Sequence, residues 1–133
     1  MKLEVVTPQG QVYSQDVDMV TLPGAEGELG IYPMHTPLIT LLGEGEIVAK
    51  RGAQEDRLLV TKGCAEILPD KVSILTVFAT PEDAIDEAKA DSARARAEDR
   101  LKQKDLSPEE IAMVEASLSH ALAQLHLKRR RRS

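Results

Sequence analysis

The sequence predicts an all-β sandwich followed by an α-helical hairpin. Three observations carry that expectation. Short β-branched and aliphatic runs separated by turn residues fill the chain from Lys2 to about Thr80, the hydrophobic period changes there from two to about three and a half, and a helix-start signal appears twice, at 80–83 and 107–110. Two domains follow from this, a strand-built 1–80 and a helical 81–133.

The strands are expected at 3–7, 11–14, 16–22, 38–42, 46–51, 56–61, 65–68 and 71–77. Pro8-Gln9-Gly10, Gly43-Glu44-Gly45, Gly52-Ala53-Gln54-Glu55 and Pro69-Asp70 supply the turns between them. In the last strand Val72 and Ile74 share one face while Ser73, Leu75 and Val77 share the other, so both faces are expected to be partly covered. Segment 24–38 is dense in turn residues yet carries Leu29, Ile31 and Leu38, and reads as a long loop pinned by its own side chains.

Thr80-Pro81-Glu82-Asp83 has a cap residue, a proline at the first helical position and acids in the first turn, so the first helix is expected from there to about Lys104. Its small residues fall on two stripes, Ala90, Ala93, Ala97 and Leu101 on one, Ile85, Ala88 and Ala95 on the other. Ser107-Pro108-Glu109-Glu110 is a capping box that opens the second helix, whose apolar stripe is Ile111, Val114, Leu118, Ala121, Leu122 and Leu125. So short a connection favours antiparallel packing, and facing alanines bury little area, so the arm is expected to detach or refold readily.

With 133 residues the chain can hold one real core plus an appendage. Apolar residues at 42% and charged residues at 29% are globular proportions. No apolar run approaches a membrane span, so any membrane association is expected to be indirect. The opening Met1-Lys2-Leu3-Glu4-Val5-Val6 alternates like a strand rather than like a leader, and the protein is expected to stay where it is made. The net charge is −5, but five of the 17 basic residues sit in 128–132, leaving 12 against 22 acids elsewhere. An acidic body and a basic tip are electrically separate.

Chemistry-bearing residues are sparse. Cys64 is the lone cysteine and reads as packing, with no partner for a disulfide or thiolate cluster. His120 and His126 lie six apart, which does not aim two imidazoles at one metal, and His35 is the remaining histidine. No phosphate loop, zinc pattern or hydrolase elbow occurs, so no catalytic residue, metal site or cofactor is expected. The basic run argues weakly for nucleic acid: the body is acidic, and Tyr13, Tyr32 and Phe78 are the only aromatics to stack on bases. An acidic protein surface suits it better.

The segment Gly27-Glu28-Leu29-Gly30-Ile31-Tyr32-Pro33-Met34-His35-Thr36-Pro37-Leu38 closely resembles the signature of the epsilon subunit of bacterial F-type ATP synthases. The resemblance continues in family order through Val5-Val6-Thr7-Pro8, Val60-Thr61-Lys62-Gly63, Leu68-Pro69-Asp70-Lys71-Val72 and Ile85-Asp86-Glu87-Ala88-Lys89-Ala90, nearly the whole chain. It implies a rotor part at the cytoplasmic face of the bacterial plasma membrane, a peripheral subunit of a proton-translocating synthase. The sandwich would bind the gamma subunit and rest on the c-ring, with Glu28 and His35 facing the ring's polar loops. Met34 stands where the family usually has glycine, so the backbone there is expected to differ.

The resemblance further implies a regulatory hairpin that extends into the catalytic head and blocks ATP hydrolysis. Lys128, Arg129, Arg130, Arg131 and Arg132 would then meet acidic surfaces on the alpha and beta subunits. Some relatives hold the hairpin down with ATP. Of that site this chain keeps Asp86 and Arg96 but has Lys89 for an arginine, and His120 and Gln124 where the second helix offers arginines, so ATP is expected to bind weakly or not at all. The competing readings are an autonomous nucleotide-sensing module and a small enzyme that shares the sandwich.

Overall fold

A computed structural model describes the backbone of residues 1–132 and the side chains of residues 1–130. Contacts cluster into two units, one from Met1 to Glu82 and one beginning at Asp83. The first holds ten strands: β1 (Lys2–Thr7), β2 (Gly10–Asp16), β3 (Met19–Gly24), β4 (Gly27–Ile31), β5 (Leu38–Leu42), β6 (Gly45–Arg51), β7 (Gln54–Val60), β8 (Gly63–Ile67), β9 (Lys71–Thr76) and β10 (Ala79–Pro81). Hydrogen bonding runs in the order β10-β7-β6-β3-β5-β8-β9-β1-β2, with β4 on β3.

The path is two sheets joined by a thin seam, because β3 meets β5 at the single pair Gly24–Leu42. Alternation in each strand sends one set of side chains into the space between the layers. Leu3, Val5, Ala65, Ile67, Val72 and Ile74 come from one layer, and Val20, Leu22, Ile31, Ile47, Ala49, Leu58 and Val60 from the other, all at 2% exposure or less. One parallel pairing, β1 with β9, interrupts an otherwise antiparallel sandwich.

The expected strands are present, with corrections. The strand expected at 16–22 breaks at Val17 and Asp18, where the chain crosses between layers. There the Val17 amide donates to the Met1 carbonyl, the Asp18 amide donates to the Lys50 carbonyl, and Val17 is buried. Segment 24–38 is not all loop. Leu29 and Ile31 alternate with glycines as β4, opposite Leu22 and Val20, and Gly27, at φ 140°, makes the tight return from β3. Glycines masked a period of two.

A single 3-10 turn at Glu82–Ala84 spans the boundary between the units, and α1 (Glu87–Leu101) and α2 (Pro108–Arg132) follow in the second. The helix does not begin at Thr80 as expected: Ala79, Thr80 and Pro81 pair with Val60, Leu59 and Leu58 as β10. Asp86 caps α1 instead, its carboxylate accepting from the amides of Ala88 (2.9 Å) and Lys89 (3.1 Å). A sheet edge outcompeted a good local cap. α1 also ends three residues early, at Leu101.

The capping box of α2 forms as expected, with the Glu110 amide on Ser107 Oγ at 3.1 Å and the Ser107 amide on Glu110 Oε1 at 3.4 Å. Burial along the hairpin is narrower than the stripes suggest. Ala90, Ala97, Ala121 and Leu125 are buried and Val114 and Leu118 half-buried, but Ala88, Ala95, Ile111 and Leu122 are exposed. His120 and Leu127, off the expected stripe, are buried at 5% and 3%.

Candidate functional site

The outer face of the β5-β8-β9-β1 layer carries an apolar row. Leu41 lies opposite Cys64, Cys64 opposite Leu75, and Leu75 opposite Val6, so these four side chains cross four strands on the side away from the core. Leu41 is 68% exposed, Leu75 55%, and Ile39, two residues along β5, 74%. The row borders a shallow groove of about 470 Å³ lined also by Pro8, Lys62 and Val77. Partial cover of this face is as expected, with Ser73 and Val77 half-buried, while Leu75 between them is exposed. Apolar residues out of phase with the core, as in Leu38-Ile39-Thr40-Leu41-Leu42, are the signal of this row in the sequence.

Gly63 sets the close approach of β8 and β9 beside the row. A Cβ there would stand 2.0 Å from the Leu75 carbonyl oxygen, so no other residue lets β8 and β9 approach this closely. Beside it Thr61 Oγ1 and Thr76 Oγ1 share a buried 2.9 Å hydrogen bond, and the Phe78 amide donates to Thr61 Oγ1. The Val-Thr-Lys-Gly motif thus builds one end of the groove.

Glu28 and His35 lie along the β4–β5 edge but not in one cluster. Glu28 is exposed in a groove of about 450 Å³ formed by residues 24–29 and 39–41. His35 is half-buried beyond the other end of β4, where its Nδ1–H donates to the Thr36 carbonyl at 2.6 Å. That bond engages Nδ1 and leaves Nε2 as the ring atom that can meet a partner. Next to it Met34 takes φ 68°, the left-handed conformation that glycine favours, so the backbone keeps a glycine-like shape.

Asp86, Lys89 and Arg96 all fall at or along α1. Asp86 is committed to the cap, while Lys89 and Arg96 are exposed on one face about 10 Å apart along the axis. On α2, His120 is buried and Gln124 half-buried. Of the basic run, Arg129 Nε pairs with Glu87 Oε1 at 3.1 Å, and Lys128 is half-buried. The side chains of Arg131 and Arg132 lie outside the described residues. At the other end of the hairpin Arg100 reaches Glu110 at 3.1 Å and Asp105 at 3.5 Å.

Among the described residues no His, Cys, Asp and Glu side chains group as a metal site, and no helix is long and apolar enough to cross a membrane.

A sandwich with an apolar outer row and a two-helix unit after it has the build of a docking subunit. The chain belongs to the ATP synthase delta/epsilon family: residues 1–97 match its beta-sandwich domain and residues 83–128 its long alpha-helix domain. It is 41% identical over 132 residues to an ATP synthase epsilon chain of Dehalococcoides mccartyi, covering 99% of this chain and 94% of the relative. It is 42% identical over 125 residues to that of Halalkalibacterium halodurans, covering 94% of each. The fold matches a chain of the Euglena gracilis mitochondrial ATP synthase OSCP/F1/c-ring structure with TM-score 0.63, at 24% identity over 95% of this chain and 79% of that one. A chain of the Tetrahymena thermophila mitochondrial central stalk and c-ring gives TM-score 0.56, at 11% identity over 94% and 96%.

Proposed function

We propose that this chain is a central-stalk subunit of a bacterial proton-translocating ATP synthase, held at the cytoplasmic face of the membrane by its partners, and that its sandwich couples the gamma subunit to the c-ring. The observation that carries the reading is the apolar row Leu41–Cys64–Leu75–Val6 with Ile39 beside it. Contiguous exposed apolar side chains mark a protein interface, and gamma is the partner that family membership offers. An exposed carboxylate at Glu28 and an imidazole at His35 suit ring loops that carry arginine and amide groups.

The test is co-purification. Leu41→Glu with Leu75→Glu should keep the circular dichroism spectrum and melting temperature of the parent and lose gamma. Retention of gamma by that variant would end the proposal.

The hairpin is the regulatory part of this reading, extending from the base to restrain ATP hydrolysis through contacts of 128–132 with the alpha and beta subunits. Its buried side chains are few, Ala90, Ala97 and Ala121 with Leu125, Leu127 and His120, which supports a low opening cost. Deleting residues 83–133 from the assembled complex should raise hydrolysis; an unchanged rate would remove the inhibitory role.

In this reading ATP binds the hairpin weakly or not at all. Asp86 already caps α1, Lys89 and Arg96 lie apart along one face of it, and at 120 and 124 α2 has a buried imidazole and an amide where relatives offer guanidinium groups. Calorimetric titration is expected to give no micromolar binding.

A further inference from the structure

The two helices are joined by charge at both ends and by small side chains between. At the connection Arg100 spans to Glu110 and Asp105; at the open end Arg129, from the last turn of α2, meets Glu87, in the first turn of α1, at 3.1 Å across 42 residues of sequence. The Arg100 contacts span at most ten residues of sequence, at the turn. The pair of Arg129 with Glu87 exists only when the hairpin is closed.

We infer that Glu87 is an intramolecular stand-in for the acidic surface that the basic run contacts, so that closing the hairpin occupies Arg129 and opening it releases Arg129 to a partner. This deepens the regulatory reading given above and rests on it for the biological meaning of opening. Three features support it. Glu87 is half-buried while Arg129 is 59% exposed, so the carboxylate is the fixed post and the arginine the movable arm. The side-by-side termini are of opposite dipole, the α1 start favouring the carboxylate and the α2 end favouring the guanidinium, so each charge is also stabilised where it stands. Between the ends the buried residues are Ala90, Ala97, His120, Ala121, Leu125 and Leu127, a modest contact to which the ion pair adds at the open end. Competition for one arginine couples closure to partner binding without a bound ligand.

Amide hydrogen exchange on the isolated full-length chain tests the latch without any synthase present. Glu87→Gln and Arg129→Gln should each speed exchange in the buried stretches of α1 and α2 by about two- to fivefold at 50 mM salt, and the double variant should add nothing further. Raising salt to 500 mM should shrink the difference between parent and variants. Fluorescence anisotropy with a labelled acidic helical dodecapeptide supplies the second readout: Glu87→Gln should bind it about two- to fivefold more tightly, Arg129→Gln more weakly. Additive effects in the double variant, or no tighter peptide binding by Glu87→Gln, would overturn the inference. Since neither assay uses the complex, an absent inhibitory effect in the hydrolysis test would remove the regulatory reading and leave these results standing.

Discussion

The amide of Met34 donates a 2.7 Å hydrogen bond to the carbonyl of Pro69, while Met34 itself is held at φ 68°. The bond ties the segment after β4 to the turn between β8 and β9, and it fixes the backbone beside His35. A Cβ in that conformation costs about 1–2 kcal/mol, and nothing recovers it here because the methionine side chain is 81% exposed. Met34→Gly should therefore stabilise the sandwich by about 0.5–1 kcal/mol after the greater freedom of unfolded glycine is subtracted. Met34→Ala should gain nothing, and urea midpoints of the two variants check both statements.

Gly63→Ala is expected to be severe. With the Leu75 carbonyl 2.0 Å from the new methyl, β8 and β9 must separate, which breaks ladder bonds and disturbs the Thr61–Thr76 pair. A loss of about 3 kcal/mol or more is expected, read as a fall in the urea midpoint.

Stability should fall at both extremes of pH through one cluster. Arg51 and Tyr13 both donate to Asp56, at 2.7 and 2.6 Å, and hold its carboxyl below the usual range. A depressed carboxylate contributes stability above about pH 4, and that contribution is lost as pH falls through the folded value. Burial first, then the bond to Asp56, pushes the Tyr13 hydroxyl up. That contribution is present below about pH 10 and fades as pH rises toward the folded value. Asp56→Asn should flatten both limbs in urea titrations across pH, while a variant with unchanged slopes would show the cluster to be unimportant.

Ser107→Ala removes one half of a reciprocal cap at the start of α2. A cost of about 1 kcal/mol is expected, and it should appear as faster amide exchange in the first turns of α2 with strands β1 to β9 unaffected.

Much of this fold is legible from period alone. Wherever one face is core and the other water, as in β1 with Leu3 and Val5 inward, alternation places the strand. It was illegible where another rule intervened: glycines at 27 and 30 hid β4, and the helix signal at Thr80 lost to pairing with Leu59, a partner no local window contains. The c-ring candidates Glu28 and His35 came from resemblance, whereas the apolar row needed the register of four strands before Leu41, Cys64, Leu75 and Val6 could be seen as neighbours. Likewise Glu87 and Arg129 share no sequence pattern that would pair them.

The parallel pairing of β1 with β9 has a consequence for how the protein is made. Leu3 sits opposite Val72, so β1 leaves the ribosome well before β9 and waits for most of the sandwich to be translated before it gains that neighbour. Until then Val5 and Val6 have only β2 beside them, and closure of a contact so distant in sequence is slow. Nascent chains stalled before residue 76 should thus remain protease-sensitive, and release of a few more residues should confer resistance abruptly.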